Sequence, residues 1–314
     1  AFLMKGADFF VEGSSSIAKR LKVPPIIIGL TIVAMGTSLP ETAVSVTASL
    51  VNNNELAVSN VVGSNIFNLM VVVGVCSILT PILVQKETIK RDIPFSMICA
   101  FLLLGLGILA VGDKSGMTLG HLDGMILLGF FAGYIVAMIQ SAMKARAAGK
   151  NVEIEGIEEL EEEIGILSWP KSILFIVGGA LAIAFGGDLT VDAASRIAID
   201  LGMSQTLVGL TIVSIGTSLP ELVTSVVAAR KNEVDMAVGN AVGSNIFNIL
   251  MVLGIASAIN PVALIRENII DIVILIVFSL IVWIYAATKR KISRKEGISM
   301  VCLYLIYAGY IVWR

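Results

Sequence analysis

The chain has 314 residues, 56% of them hydrophobic and only 15% charged, and its mean hydropathy is +0.92. A soluble domain covers its surface with more charge than this, so the composition indicates a membrane protein with room for about ten spans of roughly 20 residues. The formal net charge of −2 and the absence of a basic stripe give no sign of nucleic-acid binding.

Apolar runs predict helices at about 1–18, 25–51, 56–83, 93–112 and 120–142, then a polar linker over 143–168. Five more follow at about 169–190, 204–229, 236–259, 267–287 and 297–313. The linker carries seven glutamates between 152 and 165 without the spaced pattern of an EF-hand, and reads as a solvated acidic segment. Cys76, Cys99 and Cys302 lie in apolar stretches and indicate no disulfide or zinc site. His121 stands alone and receives no role. No signal peptide is apparent at the start.

The chain repeats itself at an offset of 180 residues. GLTIVAMGTSLPE at 29–41 returns as GLTIVSIGTSLPE at 209–221, with 11 of 13 positions identical. VGSNIFN at 62–68 returns unchanged at 242–248. Gly6, Asp8 and Pro81 pair with Gly186, Asp188 and Pro261. Repeat two enters its first helix near Trp169, twelve residues before Leu181, the partner of Ala1. Repeat one is therefore expected to have about a dozen residues ahead of Ala1, and the first helix to be truncated.

Five helices per repeat place the second repeat upside down, and the basic residues agree. With the amino terminus outside, 17 of the 22 Lys and Arg residues fall in inside loops. These are Lys19, Arg20 and Lys22; Lys86, Lys90 and Arg91; Lys144, Arg146, Lys150 and Lys171; Arg230 and Lys231; and Lys289, Arg290, Lys291, Arg294 and Lys295. The expected fold is an all-α polytopic membrane protein of ten helices in two inverted five-helix repeats, 1–142 and 169–314, joined by the cytoplasmic linker. Inverted repeats of this kind place ion sites where they meet near the bilayer midplane.

The repeated motifs carry the chemistry. Glu41 and Glu221 lie midway along apolar segments, where a carboxylate costs about 3 kcal/mol unless it faces water or a partner. Thr37 shares a helix face with Glu41, and Ser38 is adjacent. Pro40 cannot donate to the Gly36 carbonyl, so Gly36 and Pro40 predict a broken helix. Gly216, Thr217, Ser218, Pro220 and Glu221 repeat the arrangement. In the second motif Ser64 and Asn68 share a face, as do Ser244 and Asn248, while Asn65 and Asn245 lie off it as structural hydrogen bonders. Gly63 and Gly243 permit close helix contact. All pooled donors are hard oxygens, which suits calcium, sodium or magnesium and argues against zinc or copper; magnesium fits less well because it keeps several waters.

The doubled GTSLPE and GSNIFN segments resemble the two alpha-repeats of the cation/calcium antiporter superfamily, specifically its sodium/calcium exchanger branch. The resemblance covers nearly the whole chain. It implies one calcium site surrounded by sodium sites, with Glu41, Glu221, Asn68 and Asn248 as central ligands. It further implies Thr37, Ser38, Ser64, Thr217, Ser218 and Ser244 as sodium ligands, with the backbone carbonyls of Ala34 and Ser214. Several relatives carry Asp at the position of Asn248, so this chain has one carboxylate fewer, and Ser59 stands where the second repeat has Gly239. The implied function is sodium/calcium antiport in a cell membrane, with calcium and sodium as transported ions, the bilayer as surroundings, and no cofactor, nucleic acid or protein partner called for. Potassium-dependent or proton-coupled calcium exchange is the alternative, and a cation channel the rival from another class. No nucleophile–base pair or metal motif such as H-E-x-x-H points to an enzyme.

Overall fold

The computed structural model describes residues 2–50, 54–109, 117–147, 167–202 and 214–313. Helices dominate. In chain order they are α1 (Phe2–Leu21), α2 (Pro25–Thr37), α3 (Leu39–Leu50), α4 (Ala57–Leu79), α5 (Thr88–Ile108), α6 (His121–Ala147), α7 (Trp169–Asp200), α8 (Ser214–Thr217), α9 (Leu219–Arg230), α10 (Val234–Ile259), α11 (Arg266–Lys289) and α12 (Arg294–Trp313). Among the described residues seven helices are long and apolar enough to cross a membrane, and α2 with α3 makes an eighth, bent span.

Hydropathy does not separate these spans, but burial does. The most apolar windows of α4 and α10 are each 78% buried, whereas those of α7 and α12 are 22% and 17% buried. Two central helices are thus covered by protein, and the outer ones turn large apolar side chains such as Leu174, Leu181, Leu305 and Ile306 outward. In water such a surface would aggregate; in a bilayer it is the solvated face. The core is one continuous cluster running through α2, α4 and α10.

Contacts recur with the halves exchanged. The lower turns of α10 pack on α6, and the matching turns of α4 pack on α12. α10 lies against α2, and α4 against α8. At the α2–α10 crossing Gly243 has no room for a side chain, because a Cβ there would lie 2.8 Å from Leu30 Cα. This is the close contact that the small residue of the second motif predicts.

Four two-residue strands depart from the all-helical expectation. β1 (Ile82–Leu83) pairs antiparallel with β4 (Lys291–Ile292), and β2 (Thr118–Leu119) with β3 (Val262–Ala263). Each pair ties a loop of one half to a loop of the other, and β1 and β3 stand 180 residues apart.

Several helix boundaries also differ from the sequence reading. α7 runs to Asp200, ten residues past its apolar pattern, because a helix continues after hydropathy ends. α4 stops at Leu79, and Ile82–Leu83 is strand. The helix expected over 204–229 is divided at Ser218, and its part over 204–213 lies outside the described residues, as does 148–166 of the linker.

Candidate cation-binding site

The site is built on two matched helix breaks. Ser38 leaves α2 at φ −83°, ψ 9°, and Ser218 leaves α8 at φ −91°, ψ 3°. Pro40 and Pro220 follow in the first turn of the next helix, where a missing N–H costs nothing. The chain therefore bends by 48° between α2 and α3, as the Gly–Pro spacing predicts. Glu41 and Glu221 then fall in the first turns of α3 and α9. There the helix dipole presents its positive end, which favours a carboxylate.

The second motif arrives on the central helices. Asn68 and Asn248 each open a wider, π-helical turn, Asn68–Val72 and Asn248–Val252. Their carbonyls accept from the N–H five residues on, Val73 and Leu253. Such turns change the register of a helix locally and recur at functional sites.

These four elements converge. Glu41, Glu221, Asn68 and Asn248 are all fully buried, as are Ser38, Ser64, Ser218 and Ser244. Glu41 Oε1 accepts from Ser64 of its own half at 3.4 Å and from Ser218 of the other half at 3.2 Å. Glu221 Oε1 accepts from Ser244 at 3.3 Å and from Ser38 at 3.1 Å. Among the described residues the second carboxylate oxygen of each glutamate accepts nothing, and neither do Asn68 Oδ1 and Asn248 Oδ1. Two carboxylates thus lie buried without a Lys, Arg or His partner among the described residues. Such charge is tolerated only when a counter-charge joins it.

Asn65 and Asn245 explain why amide oxygens are the free atoms. Asn245 Nδ2 donates to the Asn65 carbonyl at 3.1 Å, and Asn65 Nδ2 donates to the Asn245 carbonyl at 3.1 Å. A backbone carbonyl only accepts, so both amide orientations are fixed. Asn245 Oδ1 then accepts from Asn68 Nδ2 at 3.2 Å, and Asn65 Oδ1 accepts from Asn248 Nδ2 at 3.0 Å. Each lock turns the neighbouring side chain so that its oxygen stays uncommitted. The two residues do bond structurally, as the sequence indicates, and in doing so they orient the site.

Thr37 and Thr217 sit one layer out. Thr37 Oγ1 donates to Asn240 Oδ1 at 3.0 Å, and Thr217 Oγ1 donates to Asn60 Oδ1 at 3.2 Å. Asn60 Nδ2 donates to Ser45 at 3.0 Å and approaches the Glu41 carbonyl at 3.5 Å. Asn240 repeats this with Ser225 at 2.9 Å and the Glu221 carbonyl at 3.4 Å. Asn60, Asn240, Ser45 and Ser225 were not singled out from the sequence, although both pairs are identical at the 180-residue offset. The carbonyl of Ala34 accepts from the Ser38 N–H at 3.0 Å. Ser214 begins α8.

The donors are carboxylate, amide and hydroxyl oxygens on helices from both halves, enclosed in a bundle that crosses a membrane. This defines a membrane protein that handles hard cations. A family model described as sodium/calcium exchanger protein matches residues 1–140 and 171–313. The chain belongs to this family, whose members are cation/calcium antiporters.

It is 33% identical over 330 residues to the sodium/calcium exchanger MaX1 of Methanosarcina acetivorans, covering 98% of this chain and 94% of that one. It is 32% identical over 313 residues to the inner membrane protein YrbG of Escherichia coli, covering 98% and 90%. Among solved structures it matches the sodium-calcium exchanger NCX_Mj with a TM-score of 0.80 and 32% identity, covering 98% of this chain and 94% of that one.

Proposed function

We propose that this protein is a secondary antiporter that exchanges sodium for calcium by alternating access. The observation that carries the reading is the set of four buried, uncommitted oxygens: Glu41 Oε2, Glu221 Oε2, Asn68 Oδ1 and Asn248 Oδ1. They come from four helices and both halves, and they match a calcium ion's preference for several protein oxygens. Ser38, Ser64, Ser218 and Ser244 surround them and, with Thr37, Thr217 and the carbonyls of Ala34 and Ser214, supply sodium ligands.

Charge explains obligatory exchange. Two glutamates give the centre a charge of about −2. One calcium or two sodium ions neutralise it, and three sodium ions leave +1. The empty centre is too costly to carry through the low-dielectric interior, so the unloaded protein does not return. A three-to-one cycle moves one net charge, on which the membrane potential acts with about 2.3 kcal/mol per 100 mV.

In this reading the repeats 1–142 and 169–314 are inverted, with the amino terminus outside and the linker 143–168 inside. The strand pairs support that orientation. β1 and β4 adjoin Lys86 and Arg290, both assigned inside, while β3, which pairs with β2, adjoins Arg266, assigned outside. The test is calcium uptake into proteoliposomes under sodium, potassium and proton gradients in turn. Uptake driven by sodium alone is expected. Uptake that needs potassium or follows the proton gradient would replace sodium in this reading, and flux without any counter-ion would indicate a channel.

A further inference from the structure

A cavity of about 560 Å³ opens beside the two helix breaks. Leu39 and Pro40 line it from one break, and Gly216, Thr217 and Pro220 from the other. Thr217 belongs to both cavity and site, because its hydroxyl bonds Asn60, whose amide approaches the Glu41 carbonyl. The remaining wall is α7, which contributes Asp188 and Asp192, one turn apart. They are the only charged residues on the wall among the described residues, and both are exposed. Neither forms an ion pair among the described residues, and Arg196, a turn beyond, does not line the cavity.

The matched positions of the first half, Asp8 and Glu12, are used differently. Lys231 Nζ lies 3.7 Å from the Asp8 carboxylate and donates to the Asp8 carbonyl at 3.0 Å. Ser15 on the same helix donates to Glu233 at 2.7 Å. One acidic position is therefore neutralised and tied to the end of α9, whereas its counterpart in the other half faces a cavity that is also lined by Thr217 and by Pro40 and Pro220, the residues just before Glu41 and Glu221.

We propose that Asp188 and Asp192 recruit cations at the mouth of the route into the Glu41–Glu221 centre, and set the apparent ion affinity on that side of the membrane alone. The proposal rests on the ion-exchange reading above. Unpaired charge in a cleft with low-dielectric walls concentrates counter-ions and raises on-rates by about 10- to 1,000-fold. The enrichment is exponential in ion charge, so the factor for calcium is the square of that for sodium. These aspartates steer ions and are not ligands of the bound state.

The test uses the full chain in right-side-out and inside-out membrane vesicles, comparing the parent with Asp188→Asn/Asp192→Asn and Asp188→Glu/Asp192→Glu. The double Asn variant should raise KM in one vesicle orientation only, by about threefold for sodium and therefore about ninefold for calcium. Maximal rate should hold, and the double Glu variant should keep the parent's values. At about 0.5 M ionic strength, where the Debye length is below about 5 Å, the difference should largely vanish. An unmoved KM, a shift equal in both orientations or a shift indifferent to salt would overturn the proposal while leaving exchange intact. A parent without sodium-driven calcium flux in either orientation would overturn the exchange reading and this proposal together.

Discussion

Ser218 donates to Glu41 across the boundary between the two halves at 3.2 Å, although the residues are 177 positions apart. The reciprocal bond, Ser38 to Glu221 at 3.1 Å, makes each glutamate depend on a helix break in the other repeat. A hydrogen bond to a charged group contributes about 1.5–3 kcal/mol. Ser218→Ala should therefore weaken calcium binding by about ten- to hundredfold while the purified protein stays monodisperse. Isothermal titration with calcium checks this, and parent-like affinity would remove Ser218 from the site.

Asn245 has no uncommitted oxygen, yet it fixes the direction of Asn68. Asn245→Ala should lower calcium affinity because the Asn68 amide becomes free to turn. Adding Asn245→Ala to Asn68→Ala should cost much less than it costs alone, since the oriented group is already gone. A double-mutant cycle measures the coupling, which should be about 0.5–3 kcal/mol. Additive losses would show that Asn245 acts by another route.

The helix break was legible because glycine and proline act locally, on the backbone of their own segment. Glu41, Glu221 and the matched serines and asparagines were legible because the chain states each of them twice. The amide locks were half legible: Asn65 and Asn245 read as hydrogen bonders, but their partners lie across the halves and leave no local spacing. Asn60 and Asn240 went unnoticed because they sit outside the quoted motifs, though the same offset links them. The strand pairs gave no signal, since two residues are too few for an alternating pattern.

Packing at the central crossing gives a stability contrast. A Cβ at Gly243 would meet the Leu30 backbone, which cannot move aside as a side chain tip can. At Gly133 an added Cβ has nothing within 4 Å. Gly243→Val should destabilise by about 1–3 kcal/mol and lower the unfolding temperature by several degrees. Gly133→Ala should leave it within about one degree or raise it slightly. Thermal scans in detergent compare the two, and equal shifts would contradict the α2–α10 contact.

The orientation has its own test. In a background without Cys76, Cys99 and Cys302, single cysteines beside Lys86, Lys150 and Arg290 should react with an impermeant thiol reagent from the cytoplasmic side. Cysteines beside Lys114 and Arg266 should react from outside. Labelling of the Lys86 and Lys114 positions from one side would contradict the inverted arrangement.

The central claim is that Glu41 and Glu221 hold the transported calcium between the two halves. Glutamine keeps their size and hydrogen-bonding oxygen but removes the charge that a buried divalent ion requires. The most direct measurement is sodium-driven calcium uptake by Glu41→Gln and Glu221→Gln in proteoliposomes, with both variants first shown to be folded by their thermal transitions. Each should lose more than about 95% of the parent rate, since one lost carboxylate in a buried pair costs several kcal/mol of cation binding. Uptake near the parent rate in either folded variant would contradict the account.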